Sequence, residues 1–326
     1  MSVPRPRKLS DNERTLLAAI AASEYISAEA LAKLSGLRIH VVRYLLRIFN
    51  DEKLISRSIF VDYSRLGSTI FNMFFSVSAQ KRDAVLKFLA NYPSVTWLTE
   101  NGGERRYELS MAVQHFSELP KLTDLVHEKF GVTLKNKIWA AEVDFHFYGY
   151  KQLTKPGKLP PRYSISSAGT KLEVDELDHK ILDRLRSAHF SSEKDIARNL
   201  GIPASSLSYR INRLQKGGVI RGQRWVIAVE KLGYAEYQIL LDLEAASKDF
   251  HQRFLSWSAT HPSILACFRC FGGWEYKILL LAPSAEGAFQ FQDDLSSKFP
   301  EVAQSQLIPR RSWLKTLVRD ADARVP

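Results

Sequence analysis

The sequence predicts an α+β chain made of two tandem units, each a winged helix-turn-helix followed by a ferredoxin-like βαββαβ domain. Three observations predict it: the chain repeats itself, each repeat opens with short helical patterns around a tight turn, and each continues with alternating strands and helices. A shift of 165 positions places Leu16, Leu17 and Ile20 on Ile181, Leu182 and Leu185, Leu31-Ala32 on Ile196-Ala197, Gly36 on Gly201, and Leu54-Ile55 on Val219-Ile220. One residue then slips in. Beyond it Gly67 meets Gly233, Gly102-Gly103 meets Gly272-Gly273, Tyr107 meets Tyr276 and Trp139 meets Trp313, in conserved order. A unit of roughly 150 residues is the size of one or two small domains.

In the first unit the apolar spacing gives helices over Asp11–Ser23, Ala28–Ser35 and Arg38–Glu52, with Ser10 and Ser27 placed as N-caps. Ile59–Tyr63 reads as the wing. From Thr69 the pattern is strand (Ile70–Val77), helix (Gln80–Asn91), strand (Val95–Glu100), strand (Tyr107–Val113), helix (Phe116–Phe130) and strand (Val132–Phe147). The second unit repeats it through Tyr237–Leu243, Phe250–Thr260, Ile264–Phe271, Tyr276–Leu281, Ala285–Phe299 and Ala303–Leu317. The expected domains are therefore 9–63 and 174–227 (winged helix-turn-helix) and 69–148 and 234–318 (ferredoxin-like). Between them lies 149–173, a stretch rich in proline, glycine, serine and basic residues that reads as a linker.

The stretch Asp195–Arg224 is the most informative. Ile196, Ala197, Leu200, Ile202, Leu207, Ile211 and Leu214 recur at helical spacing as the inner face of a small three-helix core, with the turn at Gly201-Ile202-Pro203. Ser205, Ser206, Ser208, Tyr209, Arg210 and Arg213 are left outside it. These side chains can meet phosphates and base edges, arginine pairing with guanine O6 and N7. In the first unit the matching helix carries Arg38, His40, Arg43, Tyr44 and Arg47, interleaved with Ile39, Val41 and Val42. The second helix is expected to lead in DNA reading, with Arg210 and Arg213 outweighing Arg43 and Arg47.

Charge agrees with a polyanionic partner: the chain of 326 residues carries a formal +11 and a pI near 9.5. No apolar run is long enough to span a bilayer, and the basic start, MSVPRPRKLSDNER, lacks the apolar core of a secretory signal. Two cysteines are too few for a disulfide framework, and the expected location is the cytoplasm. Cys267 and Cys270 have C-x-x-C spacing but fall within a strand, where residues three apart face opposite sides, so they read as sheet residues; no metal or cofactor is expected.

Leu177-Asp178, Lys180-Ile181-Leu182, Asp195-Ile196-Ala197, Gly201, Ser205–Ile211, Arg213-Leu214, Gly218–Gly222 and Lys231-Leu232-Gly233 together resemble the Lrp/AsnC family of transcriptional regulators. The resemblance is strong over 174–318 and weaker over 9–147. It implies a sequence-specific, non-enzymatic regulator with double-stranded DNA as partner, whose chains assemble as oligomers. Family members carry one unit per chain, so the duplication implies an intrachain pseudo-dimer. The family's effector turn, a glycine followed by an acidic-aromatic pair, is matched by Gly273, Glu275 and Tyr276 and less well by Gly103 and Tyr107; it implies an amino acid or other small metabolite as effector. The rival resemblance is to siroheme decarboxylases, which share the two-domain unit; Arg105, Arg106 and Arg269 keep that alternative open.

Overall fold

The computed structural model describes residues 6–154, 160, 162–166, 170–186, 192–244 and 247–316. Unit 1 begins with α1 (Asp11–Ala21), α2 (Ala28–Ser35) and α3 (Ile39–Asp51), followed by β1 (Ile55–Val61). Ser10 and Glu13 form a reciprocal capping box at α1, and Ser27 caps α2 through the Ala30 amide. The unit continues with β2 (Thr69–Ser76), α4 (Arg82–Asn91), β3 (Val95–Asn101), β4 (Tyr107–Val113), α5 (Glu118–Phe130) and β5 (Lys135–Phe147). A short β6 (Tyr163–Ser166) precedes unit 2, which runs α6 (Glu176–Arg186), α7 (Glu193–Leu200), α8 (Ala204–Lys216) and β7 (Ile220–Ile227). Then come β8 (Ala235–Leu243), α9 (Lys248–Thr260), β9 (Ile264–Gly272), β10 (Tyr276–Ala282), α10 (Ala285–Lys298) and β11 (Val302–Thr316).

Each unit forms a four-stranded antiparallel sheet of ferredoxin-like order, β5-β2-β4-β3 in the first and β11-β8-β10-β9 in the second. Such a sheet leaves two edges open. Here each edge is taken by the other unit: β3 pairs with β11 and β5 pairs with β9, so eight strands close into a ring. The two units thus form a pseudo-dimer within one chain.

Strand periodicity divides the two faces of this ring. In β10, Tyr276, Ile278 and Leu280 pack outward under α9 and α10 with Phe250, Phe254 and Phe299, while Lys277 between them faces inward. Unit 1 does the same with Tyr107, Leu109 and Met111 under α4 and α5. The inner face is apolar in one part, where Phe74, Leu240, Trp274 and Ile308 meet, and charged in another. Glu108 accepts from Lys277 Nζ at 2.9 Å and from Gln238 Nε2 at 2.7 Å, and Arg310 Nη1 donates to Glu236 at 2.8 Å. Glu108 of unit 1 and Lys277 of unit 2 thus pair across the seam, while Arg310 and Glu236 pair within unit 2.

Two features depart from the sequence reading. Each strand after a helix-turn-helix reads as the wing of its own module, whereas β1 and β7 pair with each other, antiparallel from Ile55↔Ile227 to Val61↔Ile220. The modules share one ribbon. The stretch read as a solvated linker also contributes structure: β6 pairs with β5, and Tyr163 packs on Phe60 at 4.3 Å between ring centroids and donates its hydroxyl to the Gln223 carbonyl. Residues 155–159, 161 and 167–169 of that stretch lie outside the described residues.

Candidate nucleic-acid interface

The second helix of each helix-turn-helix, α3 or α8, is held by a buried apolar stripe, Val42, Leu45 and Phe49 in α3 and Leu207, Ile211 and Leu214 in α8. Gly36 and Gly201 end the preceding helices in the left-handed region, at φ +76° and +66°, which lets the chain turn sharply into the next helix. The opposite faces of α3 and α8 are what a duplex would meet.

On α8, Ser205, Ser208 and Tyr209 are exposed, Tyr209 at 69%, and Ser206 is half-buried. Arg210 and Arg213 do not belong to that open face. Arg210 Nη1 reaches Asp175 at 2.7 Å and Asp178 at 2.8 Å, and Arg213 Nη2 reaches Asp178 at 2.9 Å and the Glu173 carbonyl at 2.7 Å. Asp178 is fully buried in α6, and a buried carboxylate must be matched by charge and hydrogen bonds. The two arginines thus clamp α8 onto α6. Helical spacing from Ser205, Ser208 and Tyr209 continues instead to Asn212 and Lys216, both exposed, which the sequence reading passed over.

On α3 all five predicted residues, Arg38, His40, Arg43, Tyr44 and Arg47, are exposed. Arg43 pairs with Glu29 at 2.6 Å, but both side chains are more than 60% exposed, a setting in which an ion pair is weak and readily exchanged for a phosphate. Arg47 lies over the Tyr44 ring, 5.8 Å from its centroid. The repeat alignment explains the difference: Leu45 and Ile48 stand where unit 2 has Arg210 and Arg213, so unit 1 packs with apolar groups what unit 2 clamps with charge. The basic residues of unit 1 are thus exposed at α3, whereas Arg210 and Arg213 of unit 2 are engaged with α6.

The predicted effector turns lie at the seams of the ring. Gly273 donates its amide to the Trp139 carbonyl at 2.8 Å, and a Cβ there would sit 2.1 Å from Ile138 Cγ2. Glu275 accepts from the Leu243 amide at 3.0 Å. Tyr276 and Tyr107 are 0% and 1% exposed and fill the outer cores, the former with its hydroxyl 2.8 Å from His251 Nδ1. Gly103, at φ +81°, faces open space. Gly273, Glu275, Tyr276 and Tyr107 are held by seam and core contacts. Cys267 faces the outer core and Cys270 the inner one.

The open space lies elsewhere. A cavity of about 260 Å³ sits inside the ring beneath the β1–β7 ribbon, with Phe60, Phe145, Phe147 and Phe268 in its wall beside Arg186, Arg224, Lys277 and Arg310.

Comparison with known proteins now bears on this geometry. Residues 174–221 match the family described as winged helix-turn-helix DNA-binding. The chain is 24% identical over 120 residues to the HTH-type transcriptional regulator LrpC of Bacillus subtilis, covering 37% of this chain and 82% of that protein. It is 28% identical over 124 residues to the leucine-responsive regulatory protein of Rhizobium meliloti, covering 38% and 78%. Along its whole length its fold is similar to that of the siroheme decarboxylase NirDL, with a TM-score of 0.61, 14% identity and coverage of 94% and 93%. Residues 174–221 thus form a winged helix-turn-helix segment. The chain has homologues among regulators of the Lrp/AsnC type, and its own two-domain unit occurs twice.

Proposed function

We propose that this chain is a sequence-specific DNA-binding transcriptional regulator of the Lrp/AsnC type, with the paired units presenting α3 and α8 from one pseudo-dimeric platform. The observation that carries the reading is the exposed face of α3 and its N-cap, where Arg38, His40, Arg43, Tyr44 and Arg47 stand clear of the core, together with the exposed hydroxyls of α8. Arginine and lysine contacts to phosphates release counterions, so affinity should fall steeply with salt, by a log–log slope of about 0.9 per phosphate contact. Selection from a random duplex library, followed by titration at several salt concentrations, tests this. Enrichment of no sequence, or salt-independent binding, would sink the reading.

The full-length likeness to a siroheme decarboxylase keeps a second reading in view, in which the cavity takes a tetrapyrrole substrate. Its wall supplies guanidinium groups for carboxylates but no imidazole among the described residues. This favours the regulator. Purified protein that turns over siroheme would reverse this preference.

A further inference from the structure

We propose that the cavity under the β1–β7 ribbon is a binding site for a small organic anion with a flat apolar body, and that it serves the chain as an effector site. Three buried donors around this cavity are left without acceptors. Tyr63 Oη, Arg186 Nε and Arg224 Nε are buried and have no hydrogen-bond partner among the described residues, and all three residues line this cavity. Buried polar groups are almost always satisfied, and each orphan costs stability, so three around one void point to a missing acceptor.

Their surroundings select its chemistry. Arg186 is 8% exposed, and its guanidinium lies 5.4 Å from the Tyr63 ring centroid, which sets a cation and a phenolic donor side by side. The guanidinium of Arg224 is held between Phe60 and Phe147, 4.4 and 4.5 Å from their ring centroids. The remaining cations, Lys277 and Arg310, are already engaged by Glu108 and Glu236. Of the carboxylates in the wall, Glu142 accepts from Asn72 and lies 3.9 Å from Lys277, and Asp144 lies 4.0 Å from Arg269. Arg186 reaches Asp183 only at 3.8 Å through Nη1, which leaves its Nε and that of Arg224 as the cationic donors unmatched among the described residues, with aromatic faces between. A carboxylate, sulfonate or phosphate ester on a ring system fits both features, while an uncharged or cationic ligand would leave the donors unmatched.

The site is placed to affect the reading helices. Ser58 and Phe60 of β1 and Arg224 and Val226 of β7 form part of the cavity wall, and these strands follow α3 and α8 directly. Filling the cavity from below would fix the ribbon through which the two modules are joined. This consequence rests on the regulator reading; ligand binding itself does not.

The test uses the full chain and two fluorescent probes with the same aromatic body, 8-anilinonaphthalene-1-sulfonate and uncharged N-phenyl-1-naphthylamine. One saturable site should bind the sulfonate about tenfold or more tightly than the neutral probe, the size of a charge-assisted hydrogen bond. Arg186→Gln and Arg224→Gln should each remove most of that preference while leaving neutral-probe binding in place. Arg186→Lys should retain part of it, and thermal melts confirm folding. Arg43→Gln, on the exposed face of α3, should change neither probe. No saturable site, an equal affinity for both probes, or a preference untouched by either glutamine variant would overturn the proposal. If the sulfonate binds as expected but no duplex is ever bound, the site stands and the regulator reading falls.

Discussion

Asp178 shows how one buried carboxylate changes what its neighbours can do. With no exposure to water it needs both Arg210 and Arg213, and these cannot also reach for bases while they hold α6 to α8. Replacing both with alanine should destabilise the second helix-turn-helix by about 3–5 kcal/mol, read by urea denaturation, because an uncompensated charge is left buried. Arg38→Ala with Arg47→Ala should instead weaken DNA binding with stability changed by only about 0.5 kcal/mol, as at other surface positions. A stable, binding-deficient Arg210/Arg213 double variant would restore the reading of those residues as base contacts. The cysteines are governed by burial too. It pushes Cys270 up to about 12 and Cys267 well above the ordinary thiol value, so the thiolate fraction near pH 8 is negligible. Neither should react with Ellman's reagent in the native protein, and both should react in denaturant.

Strand joints show where sequence patterns suffice and where they stop. Gly272 lies at φ +136°, and a Cβ on it would stand 2.6 Å from the Trp139 carbonyl oxygen, a backbone atom of the neighbouring β5 that cannot swing aside. Gly272→Ala should cost about 1–3 kcal/mol, while Gly103→Ala, with positive φ but open space, should lie at the low end of that range. Equal losses in denaturation would show that strain in φ, not the seam contact, sets the cost. The helices and strands themselves were legible because burial writes a period: Ser10 and Ser27 cap where predicted, and β10 alternates Tyr276, Lys277 and Ile278 between outer core and interior. The pairings between units were less legible, since antiparallel partners more than a hundred positions apart leave no local pattern. Val219–Trp225 looks the same whether it makes a private wing or half of a shared ribbon. The same limit hid the site. Arg224, Tyr63 and Arg186 sit in three separate elements, and only the folded chain brings them to one void.

Closure within a single chain also fixes what the molecule can recognise. A dimer of identical subunits presents the same residues to each half-site and so favours a palindrome. Here β3–β11 and β5–β9 join two unlike units, with Arg38, His40, Arg43, Tyr44 and Arg47 on one reading helix and Ser205, Ser208, Tyr209 and Asn212 on the other. Arginine can pair with guanine by two hydrogen bonds, worth about 1–3 kcal/mol of discrimination, whereas serine accepts either partner and specifies less. The sequences enriched from a random library should therefore be asymmetric, with a well-defined half-site assigned to α3 and a looser one to α8. Substituting Arg38 and Arg47 should blur the defined half alone. Substituting Ser208 and Tyr209 should lower affinity more evenly across sequences, as loss of contacts to the phosphate backbone does. A palindromic consensus degraded equally in both halves by the α3 substitutions would mean that two chains bind together through the same module, leaving the intrachain ring intact but removing it from the reading of DNA.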